Sequence, residues 1–480
     1  MTAAARPLSI ESLKRRALSF GAAHAFEHAM QFLLPVVLVR FLDAATFGEY
    51  RLLWLAIGTL TGLVTLNMPQ GLFFFLPRSE APLKRLYVQQ TCLYLAGAGL
   101  LCAFLVSPGN RWLPETLEPL AKHGWLVPAF VGLWVASCLL EFLPVIDERV
   151  GWGVRVITGL AALRLALLTA GAFLAPTLEA LLWILVAFVL LRLCLLAWYI
   201  GRRGWFGRPF FDRKLFAGQF RTSAPFGLSS ALYGLRIQGD QWIAATLFAL
   251  QSFAAFSLAA VLNQVLVVFR RSVVEAFLPS MSRIQSQGDV AGMLALNSRG
   301  NTMVAALMYP LLGFCFAFAD ELVTIFYTAA YLEAAPVMRI YVAGLAAMVI
   351  EIGSVVLLLQ QGRFALGLGF LALALSLTAS LAGAHHFGLA GAAAGSVAAI
   401  YFDRWFMLRR VSRHTGIPLA RLQDWKSLLV AGALAAAASA AAWFAARTAA
   451  PHDAYLRLLA GAAVVAVAYG PWLFFKVRKA

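Results

Sequence analysis

Apolar residues in this chain do not alternate in twos, and they do not form a single stripe along otherwise polar helices. They fill whole stretches of about 20 residues or more, separated by short polar turns. About fourteen such stretches are expected to be helices. They lie at 18–42, 47–76, 84–107, 122–145, 152–175, 179–200, 216–247, 252–279, 292–319, 331–359, 362–385, 388–409, 425–446 and 454–475. Several breaks are marked by proline: Pro77 after the second stretch, Pro108 with Gly109 after the third, and Pro176 after the fifth. Runs of this length suit membrane-spanning helices, because a barrel strand needs only roughly 10 residues.

Composition sharpens this picture. The 480 residues are 61% hydrophobic and 13% charged, with a mean hydropathy of +0.79. The net charge of +17 would raise the question of nucleic acid in a soluble protein. Here the charge sits in short loops, where it reports topology. With the N-terminus inside, roughly 27 of the basic residues fall in inside segments and about 4 in outside loops. Lys14-Arg15-Arg16, Arg202-Arg203 through Lys214, and Arg409-Arg410 through Lys426 carry much of the inside set. The outside loops carry Glu115, Glu118, Glu179, Asp320, Glu321 and Asp453. Both termini are therefore expected in the cytoplasm. The basic start MTAAARPLSIESLKRRALSF has no A-x-A cleavage site behind a short apolar core, and is expected to lead into an uncleaved first helix.

No loop is long enough for a soluble domain, and no G-x-x-x-x-G-K-[ST] loop is present. Direct ATP drive within the chain is not expected. Cys92, Cys102, Cys138, Cys194 and Cys315 lie in apolar runs without a C-x-x-C pair, which argues for packing rather than disulfides or zinc.

An internal repeat orders the helices. In FLDAATFGEYRLLWLA (41–56) and LFALQSFAAFSLAAVL (247–262), Phe47 aligns with Phe253, Gly48 with Ala254, Tyr50 with Phe256, and Leu52 with Leu258. Each segment joins the first and second helix of a six-helix half, and both halves enter from the same side. The fold expected is an all-α polytopic membrane protein of two six-helix bundles plus a C-terminal helix pair. Its parts are a basic segment 1–17, a bundle 18–200, a basic linker 201–215, a bundle 216–409, a linker 410–424 and the pair at 425–480. Such duplications place a substrate site between the halves of transporters.

Ionisable groups near the bilayer centre are costly and usually face a bundle interior. They gather in the first two helices of each half. The candidate cavity residues are Arg51, Asn67 and Gln70, then Arg236, Asn263, Gln264, Arg270 and Arg271. Guanidinium forks suit phosphate oxygens through paired hydrogen bonds. The candidate titrating residues are His24, Glu27, His28, Asp240 and Glu275, with Glu27 placed to couple the cycle to protons. Arg164, Arg192, Glu141, Arg339 and Glu351 cannot be aimed at a cavity from the sequence and are expected to pair structurally. The small-residue runs LGLGF (366–370) and GLAGAAAGS (388–396) are expected to let helices approach closely.

His24, Glu27 and His28 spell H-x-x-E-H, the reversed zinc-protease pattern. The same spacing puts these residues and Gln31 on one helical face. A zinc protease needs a third ligand and a peptide route to the metal, and no downstream glutamate lies in a soluble helical context. No metal and no organic cofactor are expected.

VRFLDAATFGEYRLLWLAIGTL (39–60) resembles the first hairpin of the polysaccharide flippases. These belong to the exporter superfamily that also holds multidrug-and-toxin exporters and the lipid II flippase. GDQWIAATLFALQSFAAFSLAAVLNQ (239–264) is similar to the seventh-to-eighth helix hairpin. AAYLEAAPVMRIYVAGL, QQGRFALGLG and HHFGLAGAAAGSVAAIYFDRW resemble the tenth-to-twelfth helix region. The resemblance implies two bundles in a V around a central cavity, and no enzymatic activity. It implies a bacterial inner-membrane flippase for a polyprenyl-pyrophosphate-linked oligosaccharide, as for O-antigen, capsule or exopolysaccharide, with coupling to a proton or sodium gradient. Implied partners are the lipid-linked glycan, membrane lipids, and a polysaccharide polymerase and glycosyltransferases; nucleic acid is not among them. The chain departs from the pattern in its first helix, where histidines and a glutamate stand in place of a basic residue. The rival readings are a lipid II flippase and a cation-coupled multidrug exporter. The latter would favour acidic and aromatic cavity residues, whereas basic ones predominate here.

Overall fold

The computed structural model describes residues 25–450 and 453–478, with the side chains of 262–276 and 477–478 left aside. In chain order the helices are α1 (Ala25–Leu38), α2 (Ala44–Val64), α3 (Met68–Phe75), α4 (Ala81–Leu105), α5 (Glu118–Ala121), α6 (Leu126–Ser137), α7 (Leu139–Ile146), α8 (Val150–Leu174), α9 (Leu178–Arg202) and α10 (Arg213–Leu247). They continue as α11 (Leu250–Ser286), α12 (Val290–Ala317), α13 (Ala319–Tyr327), α14 (Ala334–Met348), α15 (Gly353–Leu358), α16 (Gly362–Thr415), α17 (Leu419–Leu422), α18 (Trp425–Ala449) and α19 (Ala454–Arg478). There is no strand among the described residues. The protein is an all-α membrane protein. Among the described residues eight helical segments are long and apolar enough to cross a bilayer, with α6–α7 taken as one and α16 as one, or nine with the bent pair α2–α3 counted as one. The count of fourteen spans is not confirmed by helix length and composition. Several of its stretches are short or broken helices, and α10 and α11 are more polar than the others.

Local chemistry explains the boundaries. Asp43 caps α2 by accepting from the Thr46 amide at 2.8 Å, and Asp424 caps α18 through the Ser427 amide at 3.0 Å. Proline-bearing turns follow α4 and α8 as the sequence indicates. The second stretch is not one helix. Leu66 and Asn67 both take left-handed backbone, Pro69 opens α3, and the axis bends by 43°. Tyr94 of α4 donates to the freed Val64 carbonyl at 2.6 Å, which satisfies part of the break. The tenth stretch also breaks. There Asn297 and Asn301 of α12 both donate to the Glu351 carbonyl, at 2.9 and 3.0 Å.

The eleventh and twelfth stretches are the two arms of α16, folded back at Gly388, whose φ of 65° and ψ of −147° suit only glycine. A Cβ on Gly391 would stand 1.9 Å from the Gly383 oxygen, and one on Gly395 would stand 2.1 Å from the Ser380 nitrogen. The expected close packing of GLAGAAAGS is thus present. Gly367 and Gly369 of the preceding LGLGF face open space instead.

The chain forms two compact units, Met1–Gly234 and Leu235–Ala480, with the boundary inside α10. The repeat is visible in both. α2 begins at Ala44 and α11 at Leu250, equivalent positions in the alignment. Phe47, Tyr50 and Leu52 are buried, as are their counterparts Phe253, Phe256 and Leu258. In the second unit, α18 packs on α12 and α19 through a buried stripe of Ala431, Ala435, Ala438, Ala442 and Ala446. Arg457 of α19 is pinned to the buried Glu321 at 2.9 Å.

Candidate functional site

Each unit carries its own polar core inside apolar helices. In the first unit the core forms where α1, α7, α8 and α9 meet. Glu27 and Gln31 stand one turn apart on α1, and the Gln31 amide donates to Glu27 at 3.3 Å. Both line a small cavity with Glu141 of α7, Arg164 of α8 and Arg192 of α9. Arg192 is buried and binds Glu141 at 2.7 Å, while its guanidinium lies 4.4 Å from the Trp134 ring centre. Arg164 lies 4.9 Å over Trp54 of α2. Trp54 meets Trp134 edge to face with centroids 5.0 Å apart, so two indoles floor both cations. Tyr50 and Arg51 of α2 stand at the edge of this network, within electrostatic reach of each other.

In the second unit, Asp240 of α10 is 2% exposed and accepts from the Tyr341 hydroxyl of α14 at 2.8 Å. Its other oxygen accepts from the Gln241 amide at 2.8 Å. One turn earlier on α10, Arg236 meets the buried Asp403 of α16 at 3.1 Å, close enough for an ion pair without good hydrogen-bond alignment. Such pairs let charge stay in a low-dielectric interior.

A third feature joins α10 to the break in the second stretch. Gln219, Ser223, Gly227 and Ala231 form a buried four-residue-spaced stripe on α10. Asn67 donates to Ser230 at 3.2 Å, and Gln219 donates to Thr91 of α4 at 2.8 Å. A Cβ on Gly227 would stand 2.3 Å from the Leu66 carbonyl carbon, so α10 crosses the break with no room for a side chain there.

The sequence-derived residues distribute as follows. Glu27 and Gln31 lie in the first core. Arg51 is half-buried at its edge, and Asn67 sits at the break. His28 and Gln70 are exposed. Arg236 and Asp240 lie in the second core. His24, and the side chains of Asn263, Gln264, Arg270, Arg271 and Glu275, lie outside the described residues, so the H-x-x-E-H motif is described only in part. Among the described residues no three His, Cys, Asp or Glu side chains gather as a metal site. Sequence reasoning set Arg164, Arg192 and Glu141 aside, yet they share a cavity with Glu27. The usable signal was depth, since both arginines sit near the middle of their helices. Tyr341 and Asp403 were not singled out, although both fall in stretches that carried the family resemblance. Structural pairing does hold for Arg192 with Glu141, and for Arg339 with Asp320 at 2.7 Å.

A groove of about 940 Å³ runs along the second unit between α12, α14 and α18. Its walls are mostly apolar, among them Leu312, Phe316, Val342, Leu428 and Trp443, with Arg339 the charged group in the lining.

Fold and site together define a class: an all-α membrane protein with a polar core in each of its two compact units. Among solved structures the chain is similar to the lipid II flippase MurJ in an inward closed conformation, with 13% identity, a TM-score of 0.65, and 94% of this chain and 98% of that one covered. It is also similar to an inward-facing MATE-family multidrug resistance transporter of the MOP superfamily, with 12% identity, a TM-score of 0.60, and 81% and 96% covered. A third likeness is to a MATE multidrug transporter in complex with R6G, with 12% identity, a TM-score of 0.61, and 86% and 98% covered. No curated protein sequence gives a significant match. The chain therefore shares the fold of these structures. Residues 153–336 match the family model of a polysaccharide biosynthesis protein, which supports the flippase family read from the hairpins.

Proposed function

We propose that this protein is a flippase of the bacterial inner membrane that moves a polyprenyl-pyrophosphate-linked oligosaccharide by alternating access. The observation that carries this reading is the polysaccharide-biosynthesis match across residues 153–336, a stretch that contains Arg164, Arg192, Arg236 and Asp240. Arg51, Arg236, Arg270 and Arg271, with Asn67, Gln70, Asn263 and Gln264, are assigned to the glycan pyrophosphate. Arginine forks hold phosphate oxygens in pairs. The apolar groove beside α18 fits a polyprenyl chain that stays in the membrane while its head crosses. Glu27 or Asp240, with His24, His28 and Glu275 as further titrating groups, is assigned to coupling with a proton or sodium gradient. Both termini face the cytoplasm in this reading, and polymerase and glycosyltransferases act on either side of the step.

The test is the lipid-linked glycan content of cells lacking the protein, scored with surface polysaccharide. Accumulated polyprenyl-pyrophosphate glycan with loss of surface polymer supports the reading and names the sugar. Unchanged pools with new drug sensitivity would move the assignment to a cation-coupled exporter. A second reading, transport of the lipid-linked cell-wall precursor, has in its favour that the MurJ fold spans 94% of this chain. Accumulated lipid II in depleted cells would select it.

A further inference from the structure

The segment between α9 and α10, residues 201–215, combines two features that membrane topology alone does not require together. It holds five basic residues and one acidic residue, Asp212. It also holds Trp205, Phe206, Phe210 and Phe211. Basic charge in a short loop fixes the side of the membrane, and exposed phenylalanines add nothing to that. Yet Phe206, Phe210 and Phe211 are 56%, 52% and 48% exposed, while Trp205 is buried.

The segment is laid over the start of α4. Arg85 donates to the Arg208 carbonyl at 2.6 Å and Gln89 to the Gly207 carbonyl at 3.0 Å, while Gln90 accepts from the Asp212 amide at 3.3 Å. Its neighbours mark its depth. The apolar span α9 ends at Arg202. One turn earlier Trp198 is half exposed, lies 6.1 Å from Trp152, and has the Arg202 guanidinium 5.5 Å above it. Tryptophans in such a place sit at the level of the lipid headgroups. Phe206 lies 3.9 Å from where a Cβ on Gly201 would stand, and Phe211 meets Phe216 of α10 with centroids 5.3 Å apart. These exposed rings therefore flank the ends of two helices at headgroup depth. The charges divide in two. Arg203 is bound to Asp147, and the Asp212 carboxylate accepts from the Lys214 and Leu215 amides at 2.8 and 3.0 Å. Arg208, Arg213 and Lys214 are exposed, and their side chains have no acidic partner among the described residues.

We propose that residues 201–215 form a binding surface for anionic phospholipid in the leaflet at this face. Arg208, Arg213 and Lys214 meet the headgroup phosphates, and Phe206, Phe210 and Phe211 enter the apolar boundary beneath them. An acidic soluble protein would match the charges, but the rings stand beside membrane helices, where lipid is already the neighbour. Attraction of this kind contributes about fivefold in affinity per basic residue and fades as salt rises. The inference does not rest on the identity of the transported glycan. Retained lipid reads this surface, and the lipid-linked glycan pool reads the cargo, so either can fail alone.

The test uses the full chain in neutral detergent, titrated with phosphatidylglycerol or with phosphatidylcholine of the same acyl chains, and native mass spectrometry counts the lipids retained. The wild type is expected to prefer phosphatidylglycerol, with a preference that shrinks as ammonium acetate rises. The variant Arg208→Gln, Arg213→Gln, Lys214→Gln is expected to bind phosphatidylglycerol on the order of 100-fold more weakly and phosphatidylcholine unchanged. The variant Phe206→Ser, Phe210→Ser, Phe211→Ser is expected to lose both lipids alike. A control in the second unit, Arg409→Gln, Arg413→Gln, Arg421→Gln, is expected to keep the preference. Equal retention of the two lipids by the wild type overturns the proposal and leaves the surface to a protein partner. It is equally overturned by a preference that survives in the first variant, by full lipid retention in the phenylalanine variant, or by an equal loss in the control. Should a variant fail to fold, the salt dependence of the wild type decides: a preference indifferent to salt overturns the proposal.

Discussion

Gly227 is the residue whose substitution tests the packing of α10 most sharply. An added Cβ would stand 2.3, 2.4 and 2.5 Å from the Leu66 C, Cα and O atoms, where ordinary contact begins at 3.4 Å. The obstacle is backbone, not a side chain that can rotate away. Leu66 is itself held in left-handed geometry by the break, and Tyr94 ties the neighbouring Val64 carbonyl. Gly227→Ala must therefore push α10 outward by about 1 Å, enough to part Asn67 from Ser230. Overpacking of this kind costs about 1–3 kcal/mol, and a lost hydrogen bond adds about 1. A total of about 2–4 kcal/mol lowers the unfolding midpoint by roughly 5–15 °C in a unit of this size. The control lies two turns along the same helix. A Cβ at Gly234 meets nothing within 4 Å, so Gly234→Ala is expected to be neutral or to stabilise by up to about 1 kcal/mol. The assay is thermal unfolding of both purified variants beside the wild type. Equal midpoints for the two alanine variants would refute the backbone crossing.

Three further outcomes are expected. Gly388→Ala has open space around its new Cβ, so any loss is backbone strain. A midpoint drop matching about 1–3 kcal/mol is expected, and an unchanged midpoint would contradict the turn between the arms of α16. Asp403→Ala removes the buried carboxylate that Arg236 meets and should destabilise strongly, by about 3–5 kcal/mol, while Arg236→Met with Asp403→Leu should recover most of it. A double variant no better than the single one would mean the pair is not coupled. Asp424 lies outside the membrane-spanning helices. Its hydrogen bond from the Ser427 hydroxyl, aided by the Ser427 amide, Lys476 and Lys426, holds its carboxyl below the usual range. A depressed folded-state pKa adds stability above the unfolded value, near 4, that fades as pH falls through the folded one. Asp424→Ala should therefore cost about 1 kcal/mol at pH 7, with the gap to wild type closing only below about pH 4. A gap that closes near pH 6 would be inconsistent with that assignment.

Much of the fold was legible because its signals are local. The prolines at 108 and 176 and the Phe-small-x-aromatic-x-Leu repeat each act within a few residues. The breaks in the second and tenth stretches were harder. The second carries Asn67 and Pro69, a turn signal that the apolar flanks hide. The tenth depends on Asn297 and Asn301, about fifty residues away, which no local pattern reveals. The rotation of Arg164 and Arg192 about their helix axes was not legible either. A helix facing lipid on one side and apolar neighbours on the other has no polar stripe to set its orientation. Depth along the helix was readable; direction was not.

The repeat also shows what duplication keeps and what it lets diverge. Tyr50 and Phe256 occupy equivalent buried positions on α2 and α11. In the first unit the hydroxyl sits on that helix, near Arg51 and Arg164. In the second unit the equivalent ring is a bare phenyl, set edge to face with Tyr341 at 5.9 Å, and it is Tyr341 that carries the hydroxyl to Asp240. The aromatic volume at the helix start is retained because both units need it to pack. In the second unit the hydroxyl comes from another helix, and its partner there is a carboxylate. One packing register thus carries a different polar group in each unit.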